Sequence, residues 1–210
     1  MLLRAILASA SLQLAKLQGQ PAVAAMKHYQ VAIQRIRKNM RTPAKQKHIA
    51  TLAATLLLGY YEVWNGDHNK WCSHLYGARG IFAVMQLKDM SKRCLPAKAL
   101  RDRHTYMKRM GFSDLNMPPL KDPNELDFKL LSIIAGRPIQ PADYWLTDDQ
   151  ILSMDHSHIT EKDLRDYENL RDLFWWYCKM DVYQGMLGGT PLLSVLPLSF
   201  FSTVSIHGLG

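Results

Sequence analysis

The sequence predicts an all-α fold. Apolar residues recur at three- and four-residue intervals in successive segments up to about residue 90 and again after Thr160. Gly, Pro and Asn-Gly punctuation separates those segments, and no apolar–polar alternation longer than four residues competes with them. Short turns between the first helices imply antiparallel neighbours, so the expected architecture is an antiparallel helical bundle or stack of helix pairs with one long irregular connection.

The first helix follows Met1. Leu3, Ile6, Leu7, Leu12, Leu14 and Leu17 are expected to pack on one broad side, and Gly19 and Pro21 end it. The Met1–Ala10 run has the outline of a secretory leader, but one Arg behind two leucines and a short apolar run read better as a buried helix. Pro21 opens a second helix at a position that needs no N–H. Its apolar residues are Ala22, Ala25, Met26, Tyr29, Ala32, Ile33 and Ile36, while Lys27, Arg35, Arg37 and Lys38 project to the other side. Thr42-Pro43 starts a third, whose stripe is Ile49, Leu52, Ala53, Leu56, Leu57, Tyr60, Val63 and Trp64 before the Asn65-Gly66-Asp67 turn. A fourth is expected from about Asn69 to Met90, with Trp71, Leu75, Ala78, Ile81, Phe82 and Met85 on one side. Gly77 and Gly80 inside it cost roughly 1 kcal/mol each against Ala, which points to a helix packed closely against them.

From Cys94 to Asp127 the pattern loosens, although Arg101–Met110 has the look of a helix with a basic face. Periodicity returns where Thr160-Glu-Lys-Asp163 supplies a hydroxyl cap and acidic residues at a helix start. That helix carries Leu164, Tyr167, Leu170, Leu173, Phe174, Tyr177 and Met180 and ends at Gly185, Gly188 and Gly189. The adjacent aromatics Phe174-Trp175-Trp176-Tyr177 face several directions and are expected to be buried. The resulting division is 1–92, an N-terminal helical part; 93–159, an irregular connection; 160–191, a C-terminal helix of the same domain; and 192–210, an apolar tail. With Pro197 inside it, the tail is too short for a spanning helix.

Composition narrows the function classes. The chain has 210 residues, 48% of them hydrophobic, and three scattered cysteines (Cys72, Cys94, Cys178) without a C-x-x-C pair. Those features exclude a disulfide scaffold, a zinc finger within these residues and a polytopic membrane protein, leaving a reduced, intracellular globular chain. The net charge of +8 divides unevenly: residues 1–110 hold 19 Lys+Arg against 4 Asp+Glu, a net +15, and residues 111–210 hold 7 against 14, a net −7. Attraction between the halves is therefore as good a use of the charge as a nucleic-acid partner.

No phosphate-binding loop, nucleophile elbow or H-E-x-x-H helix occurs. Asp155-His156-Ser157-His158 is the best metal-like cluster, but loop residues before a helix ordinarily cap and solvate. His68, Cys72 and His74 are suggestive in spacing, yet on a helix Cys72 and His74 point about 200° apart. The run Arg35, Arg37, Lys38, Arg41, Lys45 and Lys47 is read as a solvated face, since no interleaved aromatics support base stacking. Met85, Met90, Met107, Met110 and Met117 are read as core filling, with an adaptable ligand groove as the alternative. No catalytic, cofactor-binding or metal-ligating residue is assigned.

Three strings carry a family resemblance: Leu56-Leu-Leu-Gly-Tyr-Tyr-Glu62, then Gly66 to Trp71, then His74-Leu-Tyr-Gly-Ala78. Ala5-Ile-Leu-Ala8 and His28-Tyr-x-x-Ala-Ile33 precede them, and Trp176-Tyr-Cys-Lys-Met-Asp181 with Gly185 and Gly189 follows. Together they resemble the regulatory region of fungal-specific transcription factors of the binuclear zinc cluster class. The resemblance covers roughly residues 1–90 and 160–191. It implies a nuclear, non-catalytic regulatory domain acting on RNA polymerase II transcription. It implies partners in the transcription machinery or the rest of its own chain, no cofactor, and no membrane. It leaves room for a small-molecule effector. The six-cysteine cluster of the family is absent, so the chain is expected to start inside the regulatory domain and not to bind DNA directly. The alternatives are a helical enzyme or small-ligand carrier using the Met-lined groove or the Asp155–His158 cluster, and a membrane-associated protein held by residues 192–206. Glu62, Arg79 and Asp181 fall in apolar surroundings where a lone charge is costly, so Arg79 is expected to pair with Glu62 or Asp181.

Overall fold

The computed structural model describes residues 1–111, 153–189 and 191–193, together with 129, 132, 133, 138, 140 and 151. Seven helices and no strand occur among these residues: α1 Leu2–Leu17, α2 Val23–Met40, α3 Pro43–Gln46, α4 Ile49–Asn65, α5 His68–Met85, α6 Leu87–Met110 and α7 Glu161–Gly188. The fold is all-α. The chain divides into two compact units, residues 1–87 with 168–210 and residues 88–167, and the second boundary falls inside α7.

In the first unit, α2 runs antiparallel to both α1 and α4. Asn39 Nδ2, near the end of α2, donates to Met1 Sδ (3.4 Å) and to Thr51 Oγ1 in the first turn of α4 (3.2 Å). At the opposite end the Lys16 ammonium donates to the Trp64 carbonyl. The core these three helices share consists of Ala5, Ala8, Leu12, Ala25, Ala32, Ile36, Ala54, Leu58 and Tyr61. Five of those nine are alanines, so the backbones approach closely, and a larger side chain there would force them apart.

This corrects the expected faces of α1 and α4. Leu3, Ile6, Leu14 and Leu17 stand exposed, while the small residues Ala5 and Ala8 with Leu12 face inward. Hydrophobic period identifies an apolar side but does not weigh size, and close helix contact selects the small residues. Thr42-Pro43 starts only the four-residue α3; α4 begins anew at Ile49, where His48 Nδ1 accepts the Ala50 N–H at 3.1 Å. α4 is buried on two sides: Ala54, Leu58 and Tyr61 meet α1 and α2, while Leu52, Thr55, Leu56, Gly59 and Glu62 form a second buried row. Of the expected stripe, Tyr60 and Val63 are exposed.

Gly66, at φ +79°, closes α4 and accepts no strain in doing so, and the Asp67 carboxylate then caps α5 by accepting the Lys70 N–H at 3.0 Å. The α5 stripe from Trp71 to Met85 is buried as expected. The helix stops at Met85 rather than continuing to Met90, because Gln86 adopts the left-handed region at φ +53°. Close helix packing occurs at Gly59, not at Gly77 and Gly80: an added Cβ at Gly59 would lie 3.2 Å from His74 Cβ and 3.5 Å from Met180 Cε. The same atom at Gly77 makes ordinary contact, and at Gly80 it meets nothing within 4 Å.

In the second unit, α6 is continuous through Pro96, and Cys94, Ala97 and Met107 are buried along it. The start of the 93–159 stretch, expected to be irregular, is thus helical to Met110; residues 112–128 lie outside the described residues. The expected cap at Thr160 is present in reciprocal form. Thr160 Oγ1 accepts the Asp163 N–H at 3.2 Å, and Asp163 Oδ2 accepts the Thr160 N–H at 2.9 Å. Of the aromatic run, Tyr177 is buried and Phe174 and Trp176 are half-buried, but Trp175 is exposed. Leu193 is buried, residues 194–210 lie outside the described residues, and no described helix is long and apolar enough to cross a membrane.

The two glycine environments lead to opposite outcomes. Gly59→Ala is expected to destabilise the protein by about 1–2 kcal/mol, because the rigid His74 Cβ must move with its helix. Gly80→Ala, with open space and ordinary helical φ, is expected to stabilise it by up to ~1 kcal/mol. Denaturant unfolding of both variants checks the pair.

Candidate functional site

One cluster of buried polar groups in the first unit lies on one side of α4. Glu62 is 1% exposed, and Tyr29 of α2 and His74 of α5 converge beside it. Tyr29 Oη and His74 Nε2 are 2.9 Å apart, with the two rings edge to face. The Tyr29 ring also lies 4.8 Å from that of Tyr61. Burial, then a hydrogen bond to the Glu62 carboxylate, holds the Tyr29 phenol well above its ordinary range. Burial, with Lys70 adding, pulls His74 down to about 4. Tyr29 is therefore protonated and His74 neutral at neutral pH. With the phenol donating to Glu62, the neutral imidazole donates its Nε2–H to the phenol oxygen. Asn65 Nδ2 supplies a further donor to Glu62 Oε2 at 3.3 Å.

Farther along the same unit lie Arg79 (7% exposed), Asp181 (0%), Tyr177 (2%) and Gln184 (4%). Asp181 Oδ1 accepts the Leu193 N–H at 2.9 Å, which fastens the chain beyond α7 back onto that helix. The Tyr177 phenol is raised by burial and then by Asp181, and Arg79 acts in the opposite direction, so both charges lie within electrostatic reach of it. The Tyr177 hydroxyl has no hydrogen-bond partner among the described residues.

Burial, then the Asp181 carboxylate, pushes the Cys178 thiol up to about 11, and burial raises Cys72 and Cys94 as well, so each is held as a thiol rather than a thiolate. The sequence-flagged groups are not drawn together. His158 Nε2 is 3.4 Å from Asp155 Oδ2, but His156 Nε2 contacts the Ile151 carbonyl at 2.8 Å, and Asp155 Oδ1 accepts the Ser157 N–H in a local turn. His68 Nε2 and Cys72 Sγ are 3.5 Å apart, whereas His74 turns inward to Tyr29. Among the described residues, no three His, Cys, Asp or Glu gather as a metal ligand set. Met85 and Met107 are buried as core residues and Met110 is exposed, while Met117 lies outside the described residues.

Sequence reasoning missed an open apolar groove of about 280 Å³ between α1 and α4, lined by Ile6, Gln13, Leu57, Tyr60 and Trp64 among others. Ile6, Leu57, Tyr60 and Trp64 of this lining were expected in the core. Tyr60 stacks toward Trp64 on one side and Trp176 of α7 on the other, at 5.6 and 6.3 Å, which keeps the groove wall in place. The sequence signal for it is the excess of apolar residues on α1, too many for one face.

The polar network predicts a specific pH response. His74 binds its proton less well folded than unfolded, so its contribution is intact above about pH 6.5 and is lost as pH falls toward about 4. At about 1.4 kcal/mol per pH unit the loss reaches up to ~3 kcal/mol. His74→Asn should remove that part of the pH dependence of unfolding. Tyr29→Phe should cost about 1–2 kcal/mol at pH 7 by leaving a buried donor unmet.

With this geometry in place, comparison with known proteins is informative. A family described as "Fungal specific transcription factor domain" matches residues 1–109, just over half of the chain. No curated protein and no solved structure matches it.

Proposed function

The chain belongs to the fungal-specific transcription factor domain family, and from that premise we propose that it is a non-catalytic regulatory domain working in the nucleus on RNA polymerase II transcription. Membership in the family implies a role in regulating transcription. The finer reading is that the domain acts by holding a protein partner, either from the transcription machinery or from elsewhere in its own chain. The observation that carries it is the apolar surface of the first unit. Beside the α1–α4 groove, Leu3, Leu14 and Leu17 of α1 are 65%, 54% and 79% exposed. Exposed apolar area of that kind marks interaction surfaces on soluble domains. The raised thiols and the dispersed His and Asp side chains give no comparable support to an enzyme.

A tethering experiment tests the proposal. The full chain, joined to a heterologous DNA-binding module in a fungal reporter strain, is expected to change reporter output at least about threefold in either direction. Ile6→Glu combined with Leu57→Gln should abolish the change while immunoblotting shows equal nuclear protein. Unchanged output from nuclear wild-type fusion would contradict the reading.

A further inference from the structure

Between the end of α2 and the start of α4 lies the densest run of positive charge in the sequence. Arg35, Arg37, Lys38, Arg41, Lys45 and Lys47 fall within residues 35–47, and all six are exposed. Residues 1–61 contain nine Lys+Arg and not one Asp or Glu. The first turn of α4, which follows directly, also carries no acidic residue, and its helix dipole adds to the positive field.

The backbone presenting these cations is fixed from beneath. Thr51, wholly buried, donates its hydroxyl to the Lys45 carbonyl at 2.9 Å and accepts Asn39 Nδ2 at 3.2 Å, tying α2, α3 and α4 together at one point. Arg35, Lys38 and Arg41 follow at three-residue spacing along α2 and its C-terminal cap, hence on one side of the helix. The face is thus an ordered array, not a charged tail.

The kind of partner follows from what accompanies the charge. Helical, extended and proline-rich peptides dock with side-chain anchors, whereas phosphates and acidic motifs are met by clusters of cations alone. Here no large apolar side chain is exposed between Met26 and Tyr60, and the exposed neighbours are Gln34, Thr42, Pro43, Ala44 and His48. Such a surface offers forked guanidiniums, ammoniums and small hydrogen-bonding groups, the set that meets phosphate oxygens. We propose that the Arg35–Lys47 face holds the phosphate backbone of duplex DNA without reading base sequence. This goes beyond the regulatory reading above, and it revises both the solvated-face reading of the run and the expectation that the fragment makes no direct contact with DNA.

Anisotropy titration of the full chain against a labelled 20-base-pair duplex of random sequence, at 50 and 150 mM KCl, tests it. Binding is expected at 50 mM, weakening about tenfold at 150 mM, the fall for two to three neutralised phosphates. Lys45→Gln/Lys47→Gln should weaken binding about tenfold and flatten the salt dependence. Lys108→Gln/Arg109→Gln, removing the same charge from α6, should change it less than about twofold. Circular dichroism confirms that both variants fold. Absence of binding at 50 mM KCl, equal losses in the two variants, or displacement of the duplex by an equally charged polyglutamate peptide at the same concentration as unlabelled duplex overturns the proposal. Because the reporter assay reads partner contact without this face, failure here leaves that result standing, and the converse holds.

Discussion

The first unit depends on a helix that has almost no outside. α4 is buried toward α1 and α2 by Ala54, Leu58 and Tyr61, and along its second row by Leu52, Leu56, Gly59 and Glu62. A helix hemmed in on two sides must satisfy two kinds of neighbour at once. Toward α1 and α2 the solution is small residues and close backbones. On the other row it is a glycine against His74 and Met180, and a buried carboxylate whose charge is met by a phenol and an amide. An isolated buried charge costs several kcal/mol, so the Tyr29–Glu62–His74 network and the close contact at Gly59 constrain each other: moving α5 outward would also part His74 from Tyr29.

The same constraint explains which parts of the fold the sequence made legible. The α5 stripe and the Thr160–Asp163 cap follow from local rules, spacing in one case and hydrogen-bond reciprocity in the other, and both are present. The core faces of α1 and α4 depend on how closely neighbours approach, which hydropathy does not encode, and there leucines were assigned to positions that alanines hold. Gln86 ends α5 in a left-handed conformation that no Gly or Pro signals. The motif strings included Tyr29, Glu62, Gly59, His74 and Asp181, so the residues of the polar network were visible as a pattern. Their joint role was not, because a hydrogen bond between residues 45 positions apart has no local signature.

The rigid interior leaves two surfaces of different chemistry on the first unit, the apolar groove along α1 and α4 and the cationic face from Arg35 to Lys47. Each is held by the scaffold at a definite point, the groove wall by Tyr60 between Trp64 and Trp176, the cationic face by Thr51 beneath Lys45. On the two proposals above, the first surface would take apolar protein segments and the second phosphate.

The claim that α4 organises the unit is tested most directly by native-state hydrogen exchange. Amides of Leu52–Tyr61 should exchange only through global unfolding, with protection matching the unfolding free energy, while those of the outer α1 turns and of α6 open at lower cost. Exchange of the α4 amides at the rate of the α1 or α6 amides, well below the global limit, would contradict the account.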